Sequence, residues 1–300
     1  MGHNHSHDHG HHTNNKTALF WSFIIIFGFM VVEVIGGFLT NSLALLSDAG
    51  HMLSDAAALG FSLLAFKIGE KTASYSKTYG YKRFEIIAAF VNGITLIAIS
   101  LYIYYEAYNR FLVPPNVSAS MMVIAIIGLI VNIVVAWILM RGDSKENLNI
   151  RSALLHVFGD LLGSIGAIIA GILILIFNWN IADPIASAVV ATLIIISGVR
   201  ITKDAAHVLM EGKPSSVDID KLYEKLEEFS GVQEVHDLHV WSITSDFPAM
   251  SCHLVVKETV DRDKLLKEAT ELITENFDIS HCTIQIEGEN FKHMECDSCF

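Results

Sequence analysis

Two stretches of apolar sequence carry residues that apolar surroundings should exclude. LALLSDAGHMLSDAAALGFSLLAF, residues 43–66, holds His51 and Asp55, and ALLHVFGDLLGSIGAI, residues 153–168, holds His156 and Asp160. Residues four apart on a helix lie on one face about a turn apart. Each stretch therefore presents an imidazole and a carboxylate together. Face to face, the two pairs supply two nitrogens and two carboxylates, a donor set suited to tetrahedral Zn²⁺. An ionised side chain at the centre of a membrane helix costs about 2.5–3.5 kcal/mol on insertion scales, so such groups normally do work. Binding a structural zinc returns about 10–16 kcal/mol, and a site that must release its ion has to be looser than that. Asp48, one turn before His51, reads as an access or supporting group, because four ligands are already present.

The elements that must hold these residues are membrane helices. The chain has 300 residues, 52% hydrophobic and 17% charged, with a mean hydropathy of +0.46. Soluble domains carry about 25% charged residues. A bilayer core needs about 20 mainly apolar helical residues to cross it, and six stretches qualify: 18–38, 43–66, 84–108, 119–140, 152–177 and 184–205. Lys71, Lys77, Lys82, Arg83, Arg141, Lys145, Arg151, Lys203 and Lys213 fall on one side of these spans, and Arg110 near the opposite edge. The excess of basic residues predicts that both termini are cytoplasmic. Asn92, Glu106, Asn132 and Asp183 are further polar residues in or beside spans, any of which could line an aqueous route. Gly159, Gly163, Gly166 and Gly171 would let helices approach closely.

Outside the spans (residues 16–209) the pattern changes. Residues 1–15, MGHNHSHDHGHHTNN, are a low-complexity histidine tract expected to be disordered. After the sixth span, GKPSSVDID marks a boundary, and residues 210–289 read helix–strand–strand–helix–strand: DIDKLYEKLEEF, VQEVHDLHVWSIT, PAMSCHLVVKE, DRDKLLKEATELITENF and HCTIQIEGE. This order predicts a small α+β domain with helices on one face of a three-stranded sheet. His239, which alternates with Asp237 in VHDLHV, reads as surface polarity, and His207 and His293 have no evident partner. The tail, residues 290–300, ends in a Cys-x-x-Cys pair, Cys296 and Cys299, whose spacing suits zinc or redox chemistry. With Cys252 and Cys282 these are the chain's four cysteines, all in the predicted cytosolic part, where thiols stay reduced. The net charge of −12 argues against nucleic acid as a partner.

SLALLSDAGHMLSDAAAL, YGYKRFEIIAAFVNG, ALLHVFGDLLGSIGAI, ADPIAS and VHDLHVW, in that order, make the whole chain resemble the cation diffusion facilitators, in their zinc-exporting, CzcD-like branch. The resemblance implies a homodimer in the cell membrane with six transmembrane helices. It implies a C-terminal cytosolic domain of ferredoxin-like, metallochaperone-like α+β fold, and exchange of Zn²⁺ for protons by alternating access. It places the transport site on His51, Asp55, His156 and Asp160, with His51 favouring zinc over cadmium. An added metal site that some relatives carry after the second span is not expected, because KIGEKTASYSKTYGYKR has neither Asp nor His. A cytosolic zinc site would use His236, His253 and Glu287, with His281, Cys296 and Cys299 as further candidates.

Ligand chemistry suits exchange. Carboxylates and imidazoles bind metal only when deprotonated, so ions and protons compete. The chain has no Gly-x-x-x-x-Gly-Lys-Ser/Thr loop for ATP and no His-Glu-x-x-His for a metalloprotease. A passive cation channel and a membrane-anchored zinc sensor are the alternatives.

Overall fold

The computed structural model describes residues 9–40, 43–112, 119–141, 147–177 and 179–291. They divide into two compact units, residues 1–206 and 207–300, so the second begins three residues before the boundary expected at 210.

The first unit contains α1 (His9–Thr40), α2 (Leu43–Gly69), α3 (Phe84–Leu112), α4 (Ala119–Leu139), α5 (Leu148–Phe177) and most of α6 (Ala182–Leu209). The helix α1 starts inside the tract expected to be disordered over residues 1–15, and residues 1–8 lie outside the described ones. Among the described residues, four stretches are long and apolar enough to cross a membrane: Asn15–Gly36, Phe84–Leu112, Leu148–Ile174 and Ala182–Leu209. Ile126–Leu139 in α4 is a shorter apolar helix.

Helices α1, α2, α4 and α5 bury a shared core: Leu19 and Ile26, Met52 and Leu59, Val135 and Leu139, Ile150 and Val157. Large apolar side chains such as Trp21, Phe38, Ile130 and Ile176 point outward, as surfaces facing lipid must. Helix α3 packs on α2 and α5, and it meets α6 through Leu96, Val190 and Ile194. That approach is close because both helices offer glycine. A Cβ on Gly93 would lie 2.5 Å from Thr202 Oγ1 and 3.0 Å from the Thr202 backbone nitrogen. An Arg110–Asp183 ion pair at 3.1 Å joins the same two helices at the far end. Asn147 caps α5, its Oδ1 accepting from the backbone N–H groups of Asn149 and Ile150, each at 3.0 Å, and its amide donates to Glu85 Oε1.

The second unit contains α7 (Ile219–Glu227), β1 (Val232–Thr244), β2 (Phe247–Val256), α8 (Arg262–Phe277) and β3 (His281–Gly288), the element order read from the sequence. Asp218 and Asp261 cap the two helices, accepting from the Lys221 and Lys264 backbone N–H groups. The sheet order is β1-β2-β3. Strands β1 and β2 form an antiparallel hairpin, whereas β2 and β3 run parallel, which α8 makes possible as the crossover. Alternation divides β2 cleanly: Met250, Cys252, Leu254 and Val256 are buried, and Ser251, His253 and Val255 between them are partly open. The buried set packs with Leu222, Leu226, Leu265, Ala269 and Ile273 of α7 and α8. The opposite face is left for chemistry.

Candidate metal sites

In the membrane unit, Asp55 of α2 meets His156 and Asp160 of α5. Asp55 Oδ1 lies 2.8 Å from His156 Nε2, and Asp160 Oδ2 lies 3.9 Å from the same nitrogen. One donor atom from each residue falls within 4.8 Å of the others, spacing that could hold a metal ion. Asp55 is 1% exposed and His156 8%. The side chains of His51 and Asp48 lie outside those described; the backbone places His51 one turn before Asp55 on α2. Two residues 101 apart in sequence meet because α2 packs on α5.

A cluster that the sequence left unranked lies next to the triad. Asn92 of α3 donates through Nδ2 to Ser62 Oγ of α2 at 2.9 Å and to Ser152 Oγ of α5 at 3.4 Å. Asn149 Nδ2 donates to the Ser62 carbonyl at 3.2 Å, and Ser152 Oγ donates to the Asn149 carbonyl at 2.9 Å. All four residues are buried. They tie together α2 and α5, which carry the triad, and α3. Ser152 is one turn from His156, and a small pocket lined by Ala58, Asn92, Ser152 and His156 joins the tie to the triad. The available signal was an Asn in an apolar span; Ser62 and Ser152 are too ordinary in membrane helices to stand out.

In the second unit, His236 and His253 face each other across the β1–β2 pairing, their rings 5.0 Å apart at 81°. Glu287 stands opposite Val255 on the parallel β3, diagonal to His253, within reach of a long side chain. Its carboxylate lies 3.3 Å from His236 Nε2 and 3.1 Å from His253 Nδ1, and Gln285 Nε2 donates to it at 2.8 Å. Glu287 is 3% exposed. The three donors lie within 4.8 Å of one another: two nitrogens and a carboxylate, a set that fits zinc with a fourth position left over.

The other candidates fall elsewhere. His281 opens β3 opposite Ala249, its ring 6.0 Å from that of Phe247. Six residues of strand separate it from Glu287, about 20 Å, so it does not join the cluster. Cys296, Cys299 and His293 lie outside the described residues. Cys252 and Cys282 are free thiols whose titration burial pushes up, Cys252 to about 12. A buried thiol held protonated is a poor ligand and a poor nucleophile. His207 does have a partner: its Nε2 donates to the Lys213 carbonyl at 3.0 Å. His239 is more than surface polarity, since its Nε2 donates to Asp237 Oδ1 at 2.8 Å, and Asp237 Oδ2 lies 3.5 Å from His253 Nε2.

A helical bundle with a buried His–Asp cluster, and an α+β domain with a His–His–Glu cluster, fit the class of membrane transporters for metal cations, and the family models bear this out. Residues 19–210 match the family described as the cation efflux transmembrane domain, and residues 214–289 match the cation efflux protein cytoplasmic domain. The chain belongs to the cation efflux family. It is a multi-pass membrane transporter of metal cations, not an enzyme. It is 55% identical over 303 residues to a cadmium, cobalt and zinc/H(+)-K(+) antiporter of Bacillus velezensis, covering 100% of this chain and 96% of that one. It is 43% identical to the zinc transporter ZitB of Escherichia coli, covering 99% and 96% of the two chains. Among solved structures, the metal-bound C-terminal domain of the Cupriavidus metallidurans CzcD transporter matches 24% of this chain and 99% of that one, at 33% identity and a TM-score of 0.23.

Proposed function

We propose that the chain exports Zn²⁺ from the cytosol in exchange for protons, and that His51, Asp55, His156 and Asp160 hold the ion in transit. The observation that carries this reading is the convergence of Asp55, His156 and Asp160, donors from two helices, in a buried site. His156 Nε2 and Asp55 Oδ1 are 2.8 Å apart, so one proton between them uses the same two atoms that an ion would need. Cargo and proton therefore exclude each other, and the site exchanges rather than conducts. Opened to the cytosol, it loses its proton and takes up Zn²⁺. Opened to a more acidic exterior, it is reprotonated and releases the ion. The driving force is the proton gradient.

Six spans with both termini cytosolic belong to this reading, supported by the six helices that begin in the first unit and by the one-sided distribution of basic residues. The second unit then lies in the cytosol, where His236, His253 and Glu287 would hold a resident zinc and the domain would pair two protomers. Zinc there supplies a fixed positive charge that draws three side chains from three strands together, favouring one arrangement of the domain.

The test is reconstitution into liposomes with a pH gradient, reading zinc and proton movement together. Zinc uptake coupled to counterflow of protons is expected, and Asp160→Ala should abolish it without unfolding the protein. Unimpaired flux in that variant refutes the site. Flux that ignores the proton gradient supports the channel reading instead. Because a relative is named a zinc/H(+)-K(+) antiporter, a potassium gradient is imposed separately.

A further inference from the structure

We infer that Asp237 is a positioning residue for the cytosolic metal site, placed by a β-bulge so that its carboxylate fixes the ring of His253. The inference rests on the reading of His236, His253 and Glu287 as zinc ligands.

Strand periodicity alone puts Asp237 on the wrong side. His236 lies on the open face, so the next residue of a regular strand would point to the helices. The pairing breaks at this place. His236 stands opposite His253 and His239 opposite Ser251, so Asp237 and Leu238 together oppose Cys252 alone. This is a bulge, with one extra residue on β1. Asp237 takes φ 52°, left-handed backbone that residues bearing a side chain adopt at a cost, Asp and Asn less than most. The result is that His236, Asp237 and His239 all serve the open face, while Leu238 packs against the core. A strained, irregular backbone in a strand calls for a return elsewhere.

That return is the environment of His253. Glu287 Oε1 lies 3.1 Å from its Nδ1, and Asp237 Oδ2 lies 3.5 Å from its Nε2. The ring is held between two carboxylates of unlike role. Glu287 belongs to the ligand cluster and Asp237 does not. With Nδ1 turned to the metal, Nε2 must carry the proton, and Asp237 is the acceptor that selects this tautomer and aims the ring. A carboxylate behind a metal-bound histidine is the usual device for both tasks. Asp237 is itself steadied by His239, which donates to its other oxygen at 2.8 Å.

The experiment measures zinc affinity of the full-length protein in detergent by competition with a chelator, defining the cytosolic site as the component that His236→Ala removes. Asp237→Ala and Asp237→Gly should each weaken this component about tenfold to hundredfold. Asp237→Asn, which tolerates the same backbone and keeps an oxygen acceptor, should restore most of it. The glycine variant separates the roles. Glycine suits φ 52° better than aspartate, so metal-free thermal stability should be at least that of the parent while zinc affinity falls. Parental affinity in Asp237→Gly would mean that the residue serves only the turn, and it overturns the inference. If His236→Ala removes no component at all, the cytosolic zinc site itself fails.

Discussion

Asp55→Asn removes one charge from the membrane site and almost nothing else. The two side chains are nearly identical in shape, and the asparagine Oδ1 can still accept from His156 Nε2, now 2.8 Å from Asp55 Oδ1. Fold stability should therefore change by no more than about 1 kcal/mol, the net worth of one such hydrogen bond. Metal binding is another matter. If a closed four-ligand zinc site is worth about 10–16 kcal/mol, each ligand carries on average about 2.5–4 kcal/mol. A cargo site is looser than a structural one, so the lower end applies, or about a hundredfold in affinity at 1.4 kcal/mol per tenfold. Asp55 is 1% exposed, so bulk water cannot step in as the missing anion. Zinc uptake into liposomes at concentrations well below the parental half-saturation point should fall by about that hundredfold, and thermal unfolding in detergent should barely move. Flux within threefold of the parent, as a rough bound, would show that Asp55 is not a ligand and that its contact with His156 only joins two helices.

Three further outcomes are expected. His51→Asp should raise the ratio of cadmium to zinc flux, because it replaces a borderline nitrogen with a carboxylate and relaxes the choice of geometry; an unchanged ratio would remove His51 from the selectivity argument. Asn92→Leu deletes the amide that ties Ser62 to Ser152 and should cost about 1–2 kcal/mol of stability, each buried membrane hydrogen bond being worth about 0.6–2 kcal/mol. Half-saturation for zinc should shift with it, since α2 and α5, the helices of the proposed site, lose their common tie; thermal unfolding and initial rates check the two effects. Burial raises the Cys252 thiol from 9.0 to about 12. The unfolded chain therefore ionises first. The stability from a neutral buried thiol is complete below pH 9 and is lost as pH rises towards 12, by up to about 1.4 kcal/mol per unit. Unfolding curves of Cys252→Ala should fall less steeply over that window than those of the parent.

Read along the chain, the sequence determined a good deal. The repeated His-x-x-x-Asp spacing needs only helical periodicity to pair an imidazole with a carboxylate, because residues four apart share a face in any helix. The alternation in VQEVHDLHVWSIT and the boundary at GKPSSVDID likewise predict elements close to those observed. These are local consequences of backbone geometry. What required the tertiary structure is everything that joins distant parts. Asp55 meets His156 only because α2 packs on α5, and Ser62, Asn92 and Ser152 become one cluster only where three helices come together. His281 and Glu287 share one short strand, yet β3 runs straight, and six residues of extension keep them apart. Asp237 shows the limit most clearly. Strict alternation turns it towards the helices, and one extra residue in the pairing of β1 with β2 turns it back towards His253. Register is a property of two strands together, so neither sequence segment contains it alone.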